Sequence, residues 1–140
     1  MDTETSGGLT VERLHDGQIV IFTVLDMTPE TVERWANKVI EVTEARRAKD
    51  IFYIHDATHV AFAMTPHFRR HSERVTNAHP DAEGAVAIIL RESLLLKVTR
   101  IIIENLVKRS QPKIATRIFF DRTQALNWLV QCMDNQRKVA

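Results

Sequence analysis

The feature that most constrains the fold of this chain is residues 51–66, in which a short apolar run leads through a polar loop into the start of a helix. The run Ile51-Phe52-Tyr53-Ile54 combines β-branched and aromatic residues, which is typical of a buried strand. Thr65 followed by Pro66 is typical of a helix N-cap and first helical residue. A buried strand that feeds a helix predicts an open α/β sheet, and such sheets bind ligands in the crevice beyond their strand ends.

The segments on either side of this stretch repeat the alternation of strands and helices. Asp16-Gly17, between two apolar runs, predicts an N-terminal hairpin. Thr28-Pro29 predicts a second helix start of the Thr-Pro type. Asp121 predicts the N-cap of a closing helix, with Gln124 reaching back towards it.

Together these signals predict the composition of the sheet. The uninterrupted apolar run at residues 84–90 is typical of a central strand that is covered on both faces. We therefore expect an α/β fold with a mixed five-stranded sheet, built from the N-terminal hairpin and then strand–helix units, with about four helices. The predicted strands are residues 9–14, 18–24, 51–54, 84–90 and 113–120, and the predicted helices begin near residues 29, 65, 94 and 122.

Size and composition indicate one cytoplasmic domain. A chain of 140 residues can bury one core, which we expect to span residues 9–135, with residues 1–8 as a disordered polar tail. The formal net charge of +1 gives no general attraction to nucleic acid. The single cysteine, Cys132, cannot form an internal disulfide. No segment has the pattern of a secretory signal or of a transmembrane helix.

Two motifs resemble STAS domains, the family of anti-sigma-factor antagonists and sulfate-transporter domains. Asp56-Ala57-Thr58-His59 lies where that family has Asp-Leu-Ser-Gly, and Met64-Thr65-Pro66 lies where it has Asp-Ser-Ser. Residues 117–129 (RIFFDRTQALNWL) resemble the ending of SpoIIAA-like proteins, in which a Phe-containing strand is followed by Asp, Ala-Leu and Trp-Leu. Within the family the chain is most similar to the divergent SpoIIAA-like (STAS/SEC14-type) group of small bacterial proteins.

The resemblance implies a SpoIIAA-like fold and a non-enzymatic regulatory or ligand-binding module. It places Thr65 at the position of the family's phosphorylated serine, although Met64 replaces the acidic partner and no glycine follows Thr65. An N-cap alone is the favoured interpretation of Thr65, because Thr28-Pro29 shows the same pattern with no such motif around it. The implied ligand or partner surface lies on the loop and helix start that follow the predicted strand at residues 51–54, and comprises Asp56, Thr58, His59, Met64, Thr65, His67 and Arg70.

The histidines of this region raise the alternative of a metal-dependent enzyme. His67 and His71 are four residues apart on a predicted helix and therefore share a face, and His55 and His59 precede them on the loop. The arginines around the pair disfavour a cation, and the spacing matches no metalloenzyme signature. We expect neither metal nor cofactor. The same basic residues favour an anionic partner or head group, or form a plain solvated face.

The predicted third helix, residues 94–109, has more apolar residues than one buried stripe needs. The residues left over are Leu94, Leu96, Ile101 and Ile103. Uncovered apolar surface on a small protein marks an interface, so we predict a homodimer. The alternatives are a small apolar ligand carried between this helix and the sheet, as the SEC14 name implies, a transient membrane contact, or a helix buried under the closing helix.

The sequence contains no local signature of catalysis. It has no nucleophile–base pair with local support and no paired carboxylates in an apolar setting, and its four glycines form no phosphate-binding loop. We therefore expect a non-enzymatic module that binds a regulatory protein or a small apolar or anionic ligand.

Overall fold

The computed structural model describes residues 2–61, 64–92, 101, 104–105 and 108–139. Its centre is a six-stranded sheet in which spatial order follows chain order. The strands are β1 Asp2–Ser6, β2 Leu9–Leu14, β3 Ile19–Val24, β4 Ile51–Asp56, β5 Gly84–Ile89 and β6 Ile114–Phe119. The pairs β1–β2 and β2–β3 are antiparallel, whereas β3–β4, β4–β5 and β5–β6 are parallel. The predicted α/β class and mixed sheet are confirmed.

The predicted number of five strands is wrong, because residues 2–6 of the expected disordered tail form strand β1. Gly7, at φ +58°, turns the chain back, and Ser6 then lies opposite Leu9. Glu4 contacts Lys38 at 2.8 Å, and the hydrogen bond from Lys38 lowers the pKa of the Glu4 carboxyl. A polar edge strand is held by backbone pairing and by charge, so it carries no apolar alternation that would predict it.

Three of the four helices begin at the predicted caps, and the predicted start of the third, near residue 94, lies outside the described residues. Helix α1 spans Pro29–Ala45, and Thr28 Oγ1 accepts a hydrogen bond from the Thr31 N–H at 3.3 Å. Helix α2 spans Pro66–Ala78. Helix α3 follows β5, and its described residues are 101, 104–105 and 108–110. Helix α4 spans Arg122–Val139, and Asp121 Oδ2 accepts from the Gln124 N–H at 3.2 Å.

Helix α4 covers one face of the sheet closely. Ala85, Ala87 and Ile89 of β5 are buried on this face, where they pack with Ala125 and Leu129 of α4. The small residues of β5 bring α4 close to the middle of the sheet, and this face forms a dense core.

The opposite face is covered unevenly. Helix α1 packs Trp35 and Val39 over β2, β3 and β4, whereas α2 packs on α1 rather than on β5. Val86 and Ile88, which face this side from β5, are therefore only half-buried. Among the described residues, only α4 packs closely on β5, so the expected cover of this strand on both faces is confirmed for the α4 face.

Candidate functional site

A cavity of about 260 Å³ lies between α2 and the sheet, and we call it the α2 cavity. Its walls come from α1, α2 and strands β3 to β6, with the end of α3 at one side, and they are mostly apolar. The apolar side chains that line it include Val39, Tyr53, Phe68, Val75, Val86 and Ile88. Phe68, Val75, Val86 and Ile88 are half-buried, so part of their apolar surface can be reached from the cavity or the solvent.

The cavity exists because α2 is attached to its neighbouring helix instead of to the sheet below it. The rings of Trp35 and Phe68 stack with centroids 5.6 Å apart. Arg74 donates a hydrogen bond to Asn37 Oδ1 at 2.8 Å, and His67 Nε2 lies 3.2 Å from the Pro29 carbonyl oxygen. No residue of α2 is fully buried. Helix α2 is therefore a polar cover over an apolar floor.

An aromatic array crosses the end of the cavity near the carboxyl end of β4. The His55 ring stacks on Phe22 with centroids 5.3 Å apart and meets Trp35 edge to face at 5.5 Å. Trp35 Nε1–H donates a hydrogen bond to His55 Nδ1 at 3.1 Å. Burial lowers the pKa of His55 to about 4, so its imidazole is neutral near pH 7.

Little of the remaining cavity surface is polar. The hydroxyl groups of Thr43 and Tyr53 lie 2.9 Å apart, and burial raises the pKa of Tyr53. Thr116 Oγ1 is buried on the floor of the cavity and has no hydrogen-bond partner in the described part of the chain. An apolar cavity with a small number of fixed polar groups is the usual form of a small-molecule site.

The structure places part of the predicted ligand surface at this cavity. Asp56 lines it, but Asp56 Oδ1 already accepts hydrogen bonds from the Thr58 N–H at 2.9 Å and the Thr58 hydroxyl at 2.7 Å. Met64 lies at the rim and is 42% exposed. His59 and Arg70 are exposed and do not line the cavity.

Thr65 is the N-cap of α2, as predicted. Its Oγ1 accepts a hydrogen bond from the Phe68 N–H at 3.1 Å, which satisfies one N–H of the first turn. The side chain is exposed. The cap accounts for this threonine, and its phosphorylation stays a prediction.

The predicted histidine cluster is only partly assembled. The rings of His67 and His71 lie 4.6 Å apart on α2, as their spacing predicts. Burial, and next the neighbouring His67, lower the pKa of His71. His55 uses Nδ1 to accept from Trp35. Among the residues with a described position, no three His, Cys, Asp or Glu side chains lie close enough to hold a metal ion.

The predicted apolar surface of the third helix falls largely outside the described residues. Leu94, Leu96 and Ile103 are not among the described residues. Ile101 is described, and it is 64% exposed. Glu104 Oε1 accepts a hydrogen bond from the Ile118 N–H at 3.2 Å, which places this part of α3 beside β6.

Sequence reasoning missed the residues that form the cavity. Trp35 is not among the predicted site residues, and His55 is among them only as a candidate metal ligand. Phe68 and Val75, seven positions apart on α2, form a short apolar stripe. This short stripe on an otherwise polar helix was the sequence signal that α2 covers the sheet only loosely.

Comparison with known proteins places the fold. No family model matches the chain, and no curated protein matches it. A solved structure does match: an uncharacterised protein of the DUF3478 family from Shewanella loihica PV-4, described as having a SpoIIAA-like fold. The alignment covers 92% of this chain and 98% of that one, with a TM-score of 0.64 and 21% sequence identity.

The chain therefore has a SpoIIAA-like fold, as its resemblance to the STAS domains implied. A match at 21% sequence identity with this TM-score shows that the fold is shared, and it does not show that the activity is shared. Within the residues that the structure describes, no helix is long and apolar enough to cross a bilayer.

Proposed function

We propose that this protein is a non-enzymatic, cytoplasmic regulatory module that binds a small apolar molecule in the α2 cavity. The observation that carries the proposal is the half-buried apolar surface of Val86 and Ile88, in the middle of the sheet, beneath a helix that packs mainly on α1. Apolar surface gains about 25 cal/mol for each Å² removed from water, so a ligand there would stabilise the domain.

The size of the cavity limits the ligand. A cavity of about 150 Å³ holds benzene, so by proportion the 260 Å³ cavity suits a molecule of roughly ten non-hydrogen atoms. This is the size of a substituted benzene or of a short alkyl compound. A whole phospholipid does not fit within this volume.

Helix α2 offers a route from ligand binding to regulation. One side of α2 carries Phe68 and Val75 at the cavity, and the other side carries the exposed Arg70 and Arg74, which do not line it. A ligand under α2 would hold the helix in one position, and the basic surface would present that state to an acidic partner. A ligand changes an equilibrium between two positions only by its difference in affinity for them.

The test is a binding assay with a cavity-filling variant. We expect wild-type protein to bind a small apolar fluorescent dye, and Val86→Phe to lose this binding while its melting temperature stays equal or rises, because the new ring occupies the cavity. Native mass spectrometry of protein purified gently from its own host would give the mass of the natural ligand.

Leu25→Phe is the matched control, because Leu25 is an exposed apolar residue that does not line the cavity. This variant should bind the dye as the wild type does. Wild-type protein that binds no apolar dye, or a Val86→Phe variant that binds it unchanged, would contradict the proposed function.

A further inference from the structure

The hydrogen bond between Trp35 and His55 determines which ring nitrogen of His55 carries the proton. An indole N–H can only donate, so His55 Nδ1 must be the acceptor and must be unprotonated. A neutral imidazole has one proton on its two nitrogens, and here that proton is on Nε2. His55 is thus a neutral group with a donor at Nε2, oriented by the stacked Phe22 ring and by Trp35.

The donor at Nε2 is available to a ligand. His55 lines the α2 cavity, and Nε2 has no hydrogen-bond partner among the residues that the structure describes. In the parallel register His55 lies beside Ile88, and Val86 lies beside Thr116. The donor therefore stands at the carboxyl end of the strands, and the apolar floor extends from it towards their amino end.

The charged side chains of the cavity are already paired with other groups of the protein. Arg69 Nε lies 3.2 Å from Glu73 Oε1, one turn along the same helix. Asp56 Oδ1 accepts from Thr58, and Asp56 Oδ2 lies 3.9 Å from Arg122 Nη1. A charged head group would lose its hydration without gaining an unpaired counter-ion, which is costly in an apolar site.

Building on the proposed function, we infer that the ligand is an uncharged apolar molecule with an acceptor oxygen at one end, such as a ketone, ester or alcohol, and that this oxygen accepts a hydrogen bond from His55 Nε2–H. The apolar part lies along Val86 towards Ile114.

Four probes of similar size test this inference: butylbenzene, propiophenone, phenylacetate and phenylpropylamine. Their affinities are measured by NMR titration with wild-type protein and with His55→Phe, which keeps an aromatic ring in the stack. We expect His55→Phe to lower the ratio of propiophenone to butylbenzene affinity by about fivefold or more, because the buried carbonyl loses its donor. Butylbenzene binding itself should be retained, and neither charged probe should bind more tightly than propiophenone.

Two spectroscopic measurements on the wild type need no variant, in case His55→Phe does not fold. The carbonyl stretch of bound propiophenone should move to lower frequency, and the nitrogen resonance of His55 Nε2 should shift on binding the ketone but not the hydrocarbon. An unchanged affinity ratio without these shifts, or tighter binding of a charged probe, would overturn the inference and leave the proposed function intact. If none of the four probes binds, the proposed function fails as well.

Discussion

At the scale of single residues, His55 shows how a polar side chain is kept neutral inside an apolar site. Phe22 and Trp35 enclose its ring, and the one hydrogen bond it accepts comes from the indole N–H of Trp35. Burial opposes protonation, and the pKa of His55 falls from 6.5 to about 4. A half-buried histidine with a lowered pKa makes the stability of the fold depend on pH.

The sign of this dependence follows from proton uptake. Between pH 6.5 and about pH 4 the unfolded chain binds a proton at His55 that the folded chain does not bind, so acid favours unfolding. We expect the contribution of His55 to the free energy of unfolding to be fully present above pH 6.5 and to be lost on acidification to about pH 4. The change is roughly 3 kcal/mol.

Urea denaturation at several pH values checks this prediction. His55→Phe should have a shallower loss of stability over the same range, whereas His59→Gln, at an exposed position, should behave as the wild type does. An equal slope in wild type and His55→Phe would show that His55 titrates normally in the folded protein.

At the scale of elements, α1 and α2 begin in the same way but are held differently. Thr28 and Thr65 both cap a helix whose first residue is proline. Helix α1 buries seven residues, whereas α2 buries none and is attached mainly to α1. The two caps are therefore a matched pair in different tertiary settings.

Replacing each cap threonine by alanine should have different consequences for the two helices. Each change costs about 1 kcal/mol of helix stability. We expect Thr65→Ala to increase amide hydrogen exchange in α2 with little change in global unfolding, because α2 can open locally. We expect Thr28→Ala to lower global stability by the full amount. The same exchange pattern in both variants would mean that α2 unfolds only together with the core.

The elements also show which features of the fold could be predicted from the sequence. The starts of α1, α2 and α4 depend on one or two residues, Thr28, Thr65 and Asp121, so a local pattern identified them. Strand β1 depends on pairing with β2 and carries no local apolar pattern, and it was missed. The cavity depends on the contact of Trp35 with Phe68, 33 positions apart by their numbers, which no local pattern reports.

The candidate site was predicted in location but not in composition. The end of β4 and the start of α2 were expected to form the working surface, and both border the α2 cavity. The apolar run of β5 predicts a strand that is covered on both faces. A strand with apolar residues on both faces has the same sequence pattern whether a helix packs directly on it or a cavity lies between them. In the described part of the chain, the packing of α2 on α1 distinguishes the two cases.

At the scale of the whole molecule, self-association stays a prediction that rests on α3. Ile101 is a large apolar side chain with most of its surface exposed. If a two-fold dimer forms through this helix, Ile101→Glu should place like charges in the interface and shift the protein towards monomer in sedimentation experiments. Leu25→Glu, at another exposed apolar residue, is the control. A monomeric wild type would contradict the predicted homodimer.

The order of the strands in the sheet has a consequence for the newly made chain. Each strand pairs with the one before it, so the sheet can grow strand by strand as the chain leaves the ribosome, without waiting for a distant partner. Helix α4, which covers one face of the sheet, is synthesised last, because it follows all six strands in the chain. Until α4 is made, Ile21, Ile54 and Ile89 on that face are open to water. A chain that ends before residue 122 should therefore aggregate, even with every strand complete.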